Sequence, residues 1–253
     1  AMLAERQPQA PFYPLWPLVH SEERVPLPAV AANMRDMAGA MRWFPLTGVI
    51  VGLAVWGAVW AGGLVDPLVA GAAGLIVWAV ITGALHLDGL GDVADASGGA
   101  HKDASRISEI LADPHIGSFG VVAIGLQLCA KLALLSALSR GDALWVLPAI
   151  CCIARMGPLL WAKILPPLHE GMGTQFASAL RWFDLTGWIM IAAVLCWLAP
   201  AFLVAIPAIG LWALWVRSRL GGISGDSHGA GIEIVRSLRR LGRVAGIDVI
   251  IVG

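Results

Sequence analysis

The sequence predicts an all-α, polytopic integral membrane bundle, and three observations carry that prediction. Of the 253 residues, 58% are hydrophobic and only 13% are charged, where a soluble domain carries roughly a quarter charged residues. The mean hydropathy is +0.78. The apolar residues gather into runs of about 20, the length that crosses a hydrocarbon core roughly 30 Å thick. About five to seven transmembrane helices are expected on these grounds. Neither internal repeats nor low-complexity segments divide the chain, so residues 1–253 read as a single membrane domain.

Residues 1–43 are mixed and proline-rich, with Pro8, Pro11, Pro14 and Pro17 breaking any early helix. This segment is expected at the membrane surface, with Phe12, Tyr13 and Trp16 at headgroup level. The first span runs from Phe44 to Val65, and Asp66-Pro67 turns the chain. A second span, Leu68 to Leu85, leads directly into His86. Val121 to Leu138 forms the third and carries Lys131; Arg140-Gly141-Asp142 turns it. Ala143 to Ala162 forms the fourth and carries Arg155. Charges inside spans are costly and face a polar cavity or a partner, so Lys131 is expected to pair with a carboxylate or carbonyl. Arg155, nearer the end of its span, is a candidate phosphate ligand.

The 29-residue stretch from Trp188 to Val216 is interrupted by Pro200 and Pro207. We read it as two short helices turning near those prolines. That hairpin brings Arg217, Arg219 and the glycine-rich loop after them back to the side that carries the acidic segment. Lys and Arg flanking the spans (Arg24, Arg35, Arg42, Lys102, Arg106, Lys163, Arg181) place that side in the cytoplasm by the positive-inside rule.

The formal net charge is zero, and nothing in it suggests nucleic acid as a partner. Cys129, Cys151, Cys152 and Cys196 all lie in apolar runs without C-x-x-C spacing, so they read as core residues and not as metal ligands. The expected surroundings are membrane lipid, and a homo-oligomer is left open.

Chemistry concentrates in a cytoplasmic acidic segment, residues 86–119, HLDGLGDVADASGGAHKDASRISEILADPHIGSF. Asp88, Asp92 and Asp95 fall at i, i+4 and i+7, which stacks them on one face of a helix. Three carboxylates there repel one another, and a proton or a cation relieves the repulsion. Oxygen-only donors favour a hard ion such as Mg2+. With Asp113 folding back from the start of span three, Asp88, Asp92, Asp95 and Asp113 are the candidate metal ligands. Asp92, Asp95 and Asp113 are the candidate catalytic carboxylates, one of them the base for an attacking hydroxyl. The alternative use of Asp113 is to cap a helix ahead of Pro114. This set suits phosphoryl transfer, which needs charge neutralisation and positioning more than covalent help.

Around the acids lie candidate substrate contacts. Backbone N–H groups of Gly117 and Ser118, in Ile116-Gly-Ser-Phe-Gly120, could cradle a phosphate at a helix start, or the glycines could serve close helix packing. His86 and His115 bracket the segment, as phosphate or ribose contacts or as plain interfacial histidines. Lys102, Arg106 and Arg155 add positive charge. In the second glycine-rich loop, Gly221 to Ala230, Ser224, Gly225 and Asp226 could hold a metal or a ribose, or form an ordinary interhelical turn.

These segments, taken in order, resemble the cobalamin synthase (adenosylcobinamide-GDP ribazoletransferase) family. His86-Leu-Asp-Gly-Leu-Gly-Asp92-Val-Ala-Asp95 is similar to its HLDG-L-A-D-x-x-D pattern, and Ala112 to Gly120 to its K-D-S-R-I-G-x-F-G element. Gly221-Gly-Ile-Ser-Gly-Asp226-Ser-His-Gly-Ala230 is similar to its G-G-x-T-G-D-x-x-G-A loop. Phe44-Pro-Leu-Thr-Gly48 and Arg24-Val-Pro-Leu-Pro28 resemble weaker elements. Pro114-His115 departs from the family's Ser-Arg and removes a guanidinium, and the tail after Glu233 is more basic than the family's apolar last helix.

The resemblance implies a Mg2+-dependent enzyme of the bacterial inner membrane, with its active site facing the cytoplasm. Its substrates would be adenosylcobinamide-GDP and α-ribazole or α-ribazole 5′-phosphate, and its products GMP and adenosylcobalamin or its phosphate. CDP-alcohol phosphotransferases are the near alternative, but Asp88-Gly-Leu-Gly-Asp92 lacks their Ala-Arg. An ion-coupled transporter is the more distant one, since transport acids lie mid-membrane.

Overall fold

A computed structural model of the chain describes residues 39–99, 103–141, 143–168 and 177–244. The expected surface segment 1–43 therefore lies almost wholly outside the described residues, as does Lys102. Among the described residues the backbone is helical, apart from one isolated bridge between Pro167 and Ile223.

A 3-10 turn, Met41–Trp43, leads into α1, Phe44–Gly63, with Pro45 in the first turn, where its missing N–H costs nothing. The Asp66 side chain accepts a bond from Leu68 N at 2.7 Å and caps α2, Pro67–Ile81. α3, Leu85–Gly99, carries the acidic stripe, and α4, Ala104–Leu111, is a short amphipathic helix capped by Asp103. Two long apolar helices follow, α5, Ser118–Leu138, and α6, Val146–Ile164. Then come α7, Trp182–Leu198, a 3-10 turn over Pro200–Val204, α8, Ala205–Arg219, and α9, Gly225–Val244.

The 188–216 stretch is thus two helices, broken where Pro200 removes a donor and fixes φ. Four helical stretches are long and apolar enough to cross a membrane: Met41–Gly63, Ser118–Leu138, Val146–Ile164 and Pro200–Arg219. Counting α2 and α3 as one broken span makes five, the low end of the expected range. Their outward surfaces hold large exposed apolar side chains such as Trp60, Ile76, Leu126 and Leu211, which suit lipid and not water.

The corner between α2 and α3 positions the site. The two helices are bent by 85°, so α3 leaves the line of α2. Gly83 and Ala84 make the corner with φ of 57° and 60°. Thr82 Oγ1 donates to the Trp78 carbonyl at 2.9 Å just before it. Behind the corner, a smaller core joins α1, α2, α5 and α6 through Val51, Val55, Trp78, Leu135 and Leu147. A larger core joins α3, α6, α8 and α9 through Leu90, Val93, Trp161, Trp212 and Ile232. α9 is polar enough that it passes no test for a span; it lies against α3, α5, α6 and α8.

Candidate active site

Leu87, Leu90, Val93 and Ala96 form the buried face of α3, and Asp88, Asp92 and Asp95 lie on its more open side. The predicted stripe therefore exists as a helical face. α9 closes on it in an antiparallel register. A methyl group at Gly89 would meet the Asp226 carbonyl at 2.7 Å and its Cα at 2.9 Å, and one at Gly229 would meet His86 Cα at 3.2 Å. Only glycine at these places lets the two backbones approach so closely. Asp226 is thereby brought to the acidic stripe, as the hairpin reading of 188–216 requires.

The start of α9 is fixed by reciprocal serine bonds. Ser224 N donates to Ser227 Oγ at 2.7 Å and Ser227 N donates to Ser224 Oγ at 3.2 Å, the logic of a capping box. Ser224 is buried and its hydroxyl is engaged in this cap. Gly225 is exposed, and Asp226 sits in the first turn of α9, where the helix dipole favours its negative charge. Leu168 N donates to the Ile223 carbonyl at 2.9 Å and Ile223 N to the Pro166 carbonyl at 2.8 Å, tying this loop to the chain after α6.

Asp92 is the most perturbed carboxylate of the stripe. Partial burial, then the charges of Asp88, Asp226 and Asp95, push its pKa up to about 6. Four acids thus share one field.

Asp95 is used differently. Its carboxylate accepts Gly117 N at 2.7 Å and Gly120 N at 3.0 Å. The N–H groups at the start of α5, expected to face a phosphate, therefore face an anion of the chain itself. Gly117 has no room for a side chain because Asp95 fills the place, and Ser118 is exposed beside it.

Asp113 is not brought to the stripe. It is exposed, and one of its oxygens accepts His115 N at 2.9 Å and lies 2.7 Å from His115 Nδ1. Those bonds hold its pKa below the ordinary carboxylate value. The capping use was closer to the outcome: Asp113 shapes the loop ahead of α5. Arg106 is exposed on α4. His86 is buried, edge-on to Phe44 with ring centroids 6.5 Å apart. Arg155 is fully buried, its guanidinium 5.4 Å from the centre of the Phe44 ring. Both are packed against Phe44 of α1.

Lys131 forms the expected ion pair, and its partner is Glu233 of α9. Glu233 and Arg236 were not singled out from the sequence. Their signal was modest: Glu233 lies two helical turns after Asp226, on the same face.

The profile of the cobalamin-5-phosphate synthase family matches residues 22–242. The chain belongs to this family. An adenosylcobinamide-GDP ribazoletransferase of Novosphingobium aromaticivorans is 52% identical over 219 residues, covering 85% of this chain and 89% of its own. One of Thiobacillus denitrificans is 43% identical over 232 residues, covering 89% and 91%. One of Laribacter hongkongensis is 42% identical over 204 residues, covering 79% and 83%. No solved structure matches the chain. The two glycine-rich acidic motifs of this cobalamin-5-phosphate synthase family member are the ones that α3 and α9 press together.

Proposed function

We propose that the chain transfers the cobinamide phosphate of adenosylcobinamide-GDP to a hydroxyl of α-ribazole or its 5′-phosphate, at a site built by Asp88, Asp92 and Asp226. The observation that carries this reading is the meeting of α3 and α9, which gathers acids from the two motifs into one electrostatic field around Asp92. The names of the relatives supply the substrates. The bond that forms joins the ribazole oxygen to the cobinamide phosphorus; the bond that breaks joins that phosphorus to the GMP oxygen. GMP leaves with the electron pair, and the hydroxyl proton passes to a carboxylate.

Asp92 is that carboxylate in our reading. A base works best with a pKa near the working pH, and a value near 6 leaves Asp92 ionised at neutrality yet able to accept a proton. Asp88 and Asp226, the next strongest charges in its field, would hold Mg2+. Among the described residues no three Asp, Glu, His or Cys side chains converge into a ready cage. Mg2+ needs none, because it keeps waters and takes substrate phosphate oxygens beside one or two carboxylates. The oxygen-only donors and the like charges gathered around Asp92 fit such an ion. When bound, it would neutralise charge on the diphosphate. Asp95 orients α5 and holds no ion in this scheme. The face presenting the acids would lie at the cytoplasmic boundary of the inner membrane, in keeping with the flanking arginines and lysines.

The test is GMP release from adenosylcobinamide-GDP and α-ribazole 5′-phosphate by the purified protein in detergent. Asp92→Asn is expected to lower kcat about 10²-fold or more, the usual yield of a general base. Full activity in that variant would remove Asp92 from the chemistry.

A further inference from the structure

A second cluster of charge lies on α9, sealed inside the bundle. The side chains of Lys131 and Glu233 are 3% and 2% exposed, and Arg236 is as deeply buried. One Glu233 oxygen takes Lys131 and the Gln127 amide, the latter at 3.0 Å; the other faces Arg236 Nη1 at 3.4 Å. Gln127 Nε2 also reaches the Glu233 carbonyl at 3.0 Å and Ser237 Oγ at 2.8 Å. Lys131 and Arg236 both approach the Trp78 ring of α2, at 4.3 and 4.8 Å from its centre. Three helices, α2, α5 and α9, thus meet on one carboxylate.

Stability alone is a weak reason for such a cluster. Well-packed apolar residues of similar volume often do as well as a buried ion pair, and the attested use of buried polar contacts is to fix register. Register is what the site needs. Gly89 against Asp226 and Gly229 against His86 bring α3 and α9 close; the serine cap and the Ile223 bonds hold the start of α9, and the buried charges hold it further along. One helical turn of slip is about 5.4 Å, enough to take Asp226 away from Asp92. Glu233 lies two turns further along α9 on the same face, and its bonds to α5 are directional.

We propose that the Lys131–Glu233–Arg236 cluster sets the axial register of α9, and that Glu233 is therefore a positioning residue for Asp226. The inference rests on the reading of Asp88 and Asp226 as metal-holding groups. Glu233→Gln, Glu233→Asp and Lys131→Met are to be compared with the parent protein in detergent. Binding of Mn2+, a hard-ion probe, is followed by its electron paramagnetic resonance signal without substrates, and GMP release is assayed in parallel. Glu233→Gln and Lys131→Met are expected to weaken Mn2+ binding at least fivefold and to lower kcat at least tenfold. Glu233→Asp, which keeps the charge, recovers most of both. The proposal is overturned if either neutral variant folds, as judged by its melting curve, and binds Mn2+ within twofold of the parent. It is equally overturned if no neutral variant can be recovered folded, since the cluster then serves the fold alone. A parent protein that binds no Mn2+ and needs no divalent ion would instead sink the metal reading on which this one rests.

Discussion

α9 carries two clusters of charge, and they are opposites. At its start, Asp226 joins Asp88, Asp92 and Asp95 in a group with one sign of charge, partly open to solvent. Two turns on, Glu233 sits between Lys131 and Arg236, closed off from solvent and internally compensated. Compensated charge gives directional bonds and holds helices in place. Like charges gathered in one place repel one another, and a proton or an incoming cation relieves that repulsion. In the proposed scheme the first kind keeps the bundle in register and the second meets the charged substrate.

The largest effect is expected from parting the two clusters' common helix from α3. Gly89→Val would drive a side chain into the Asp226 backbone, which cannot yield as a side-chain tip can. Overpacking of this sort costs about 1–3 kcal/mol, and GMP release should fall about 10²-fold or more through loss of the acidic group. Retention of parental activity by a folded Gly89→Val protein would break the link between helix approach and site.

A smaller effect is expected from pH. Asp92 is raised to about 6, by burial first and by its acidic neighbours second. As a base it must be ionised, so kcat/KM should be level above neutrality and fall about tenfold per unit below pH 6. Stability has the opposite sign for this group. Between its unfolded value of 3.8 and its folded value of about 6 the folded chain binds the extra proton. Its contribution is therefore full below the lower value and is lost as pH rises through the higher. An acid limb in activity with no matching loss in the melting curve at pH 5 would tie the limb to Asp92; an activity profile flat down to pH 5 would detach it.

The smallest effect is expected at Asp95. Asp95→Ala removes both acceptors from the first turn of α5, which should destabilise the protein by about 1 kcal/mol, as loss of a helix cap does. Measured by denaturant or heat, that loss should exceed any change in Mn2+ binding. The reverse result would return Asp95 to the metal-holding set.

Much of this arrangement was legible in the chain. Three of the expected spans, the first, third and fourth, follow from run length within a few residues; the second ends early, at Ile81, where the chain turns into α3, and Pro200–Arg219, expected as a short hairpin arm, is long enough to cross. The stripe follows from i, i+4, i+7 spacing, since helical geometry alone fixes which side chains share a face. The ion pair of Lys131 follows from the cost of a lone cation among apolar helices. What spacing does not specify is the partner across the bundle. Asp95 looks like its neighbours in the stripe, yet it bonds N–H groups 22 and 25 residues away. Asp113 stands beside the motif in sequence but satisfies itself on His115. Ser224 seemed free to meet substrate, and its buried hydroxyl caps α9. Each of these outcomes depends on a contact that only tertiary packing creates.

The corner at Ala84 carries a last consequence. An alanine in the left-handed region is disfavoured by roughly 1–2 kcal/mol, and the bonds from Ala84 N to the Ala79 carbonyl and from Leu85 N to the Thr82 carbonyl offset that cost only locally. The elbow stays flexed because its upper arm is wedged by Trp78 and its forearm is strapped by α9. The angle at which α3 presents its acids is then sustained by packing on both sides of one disfavoured residue.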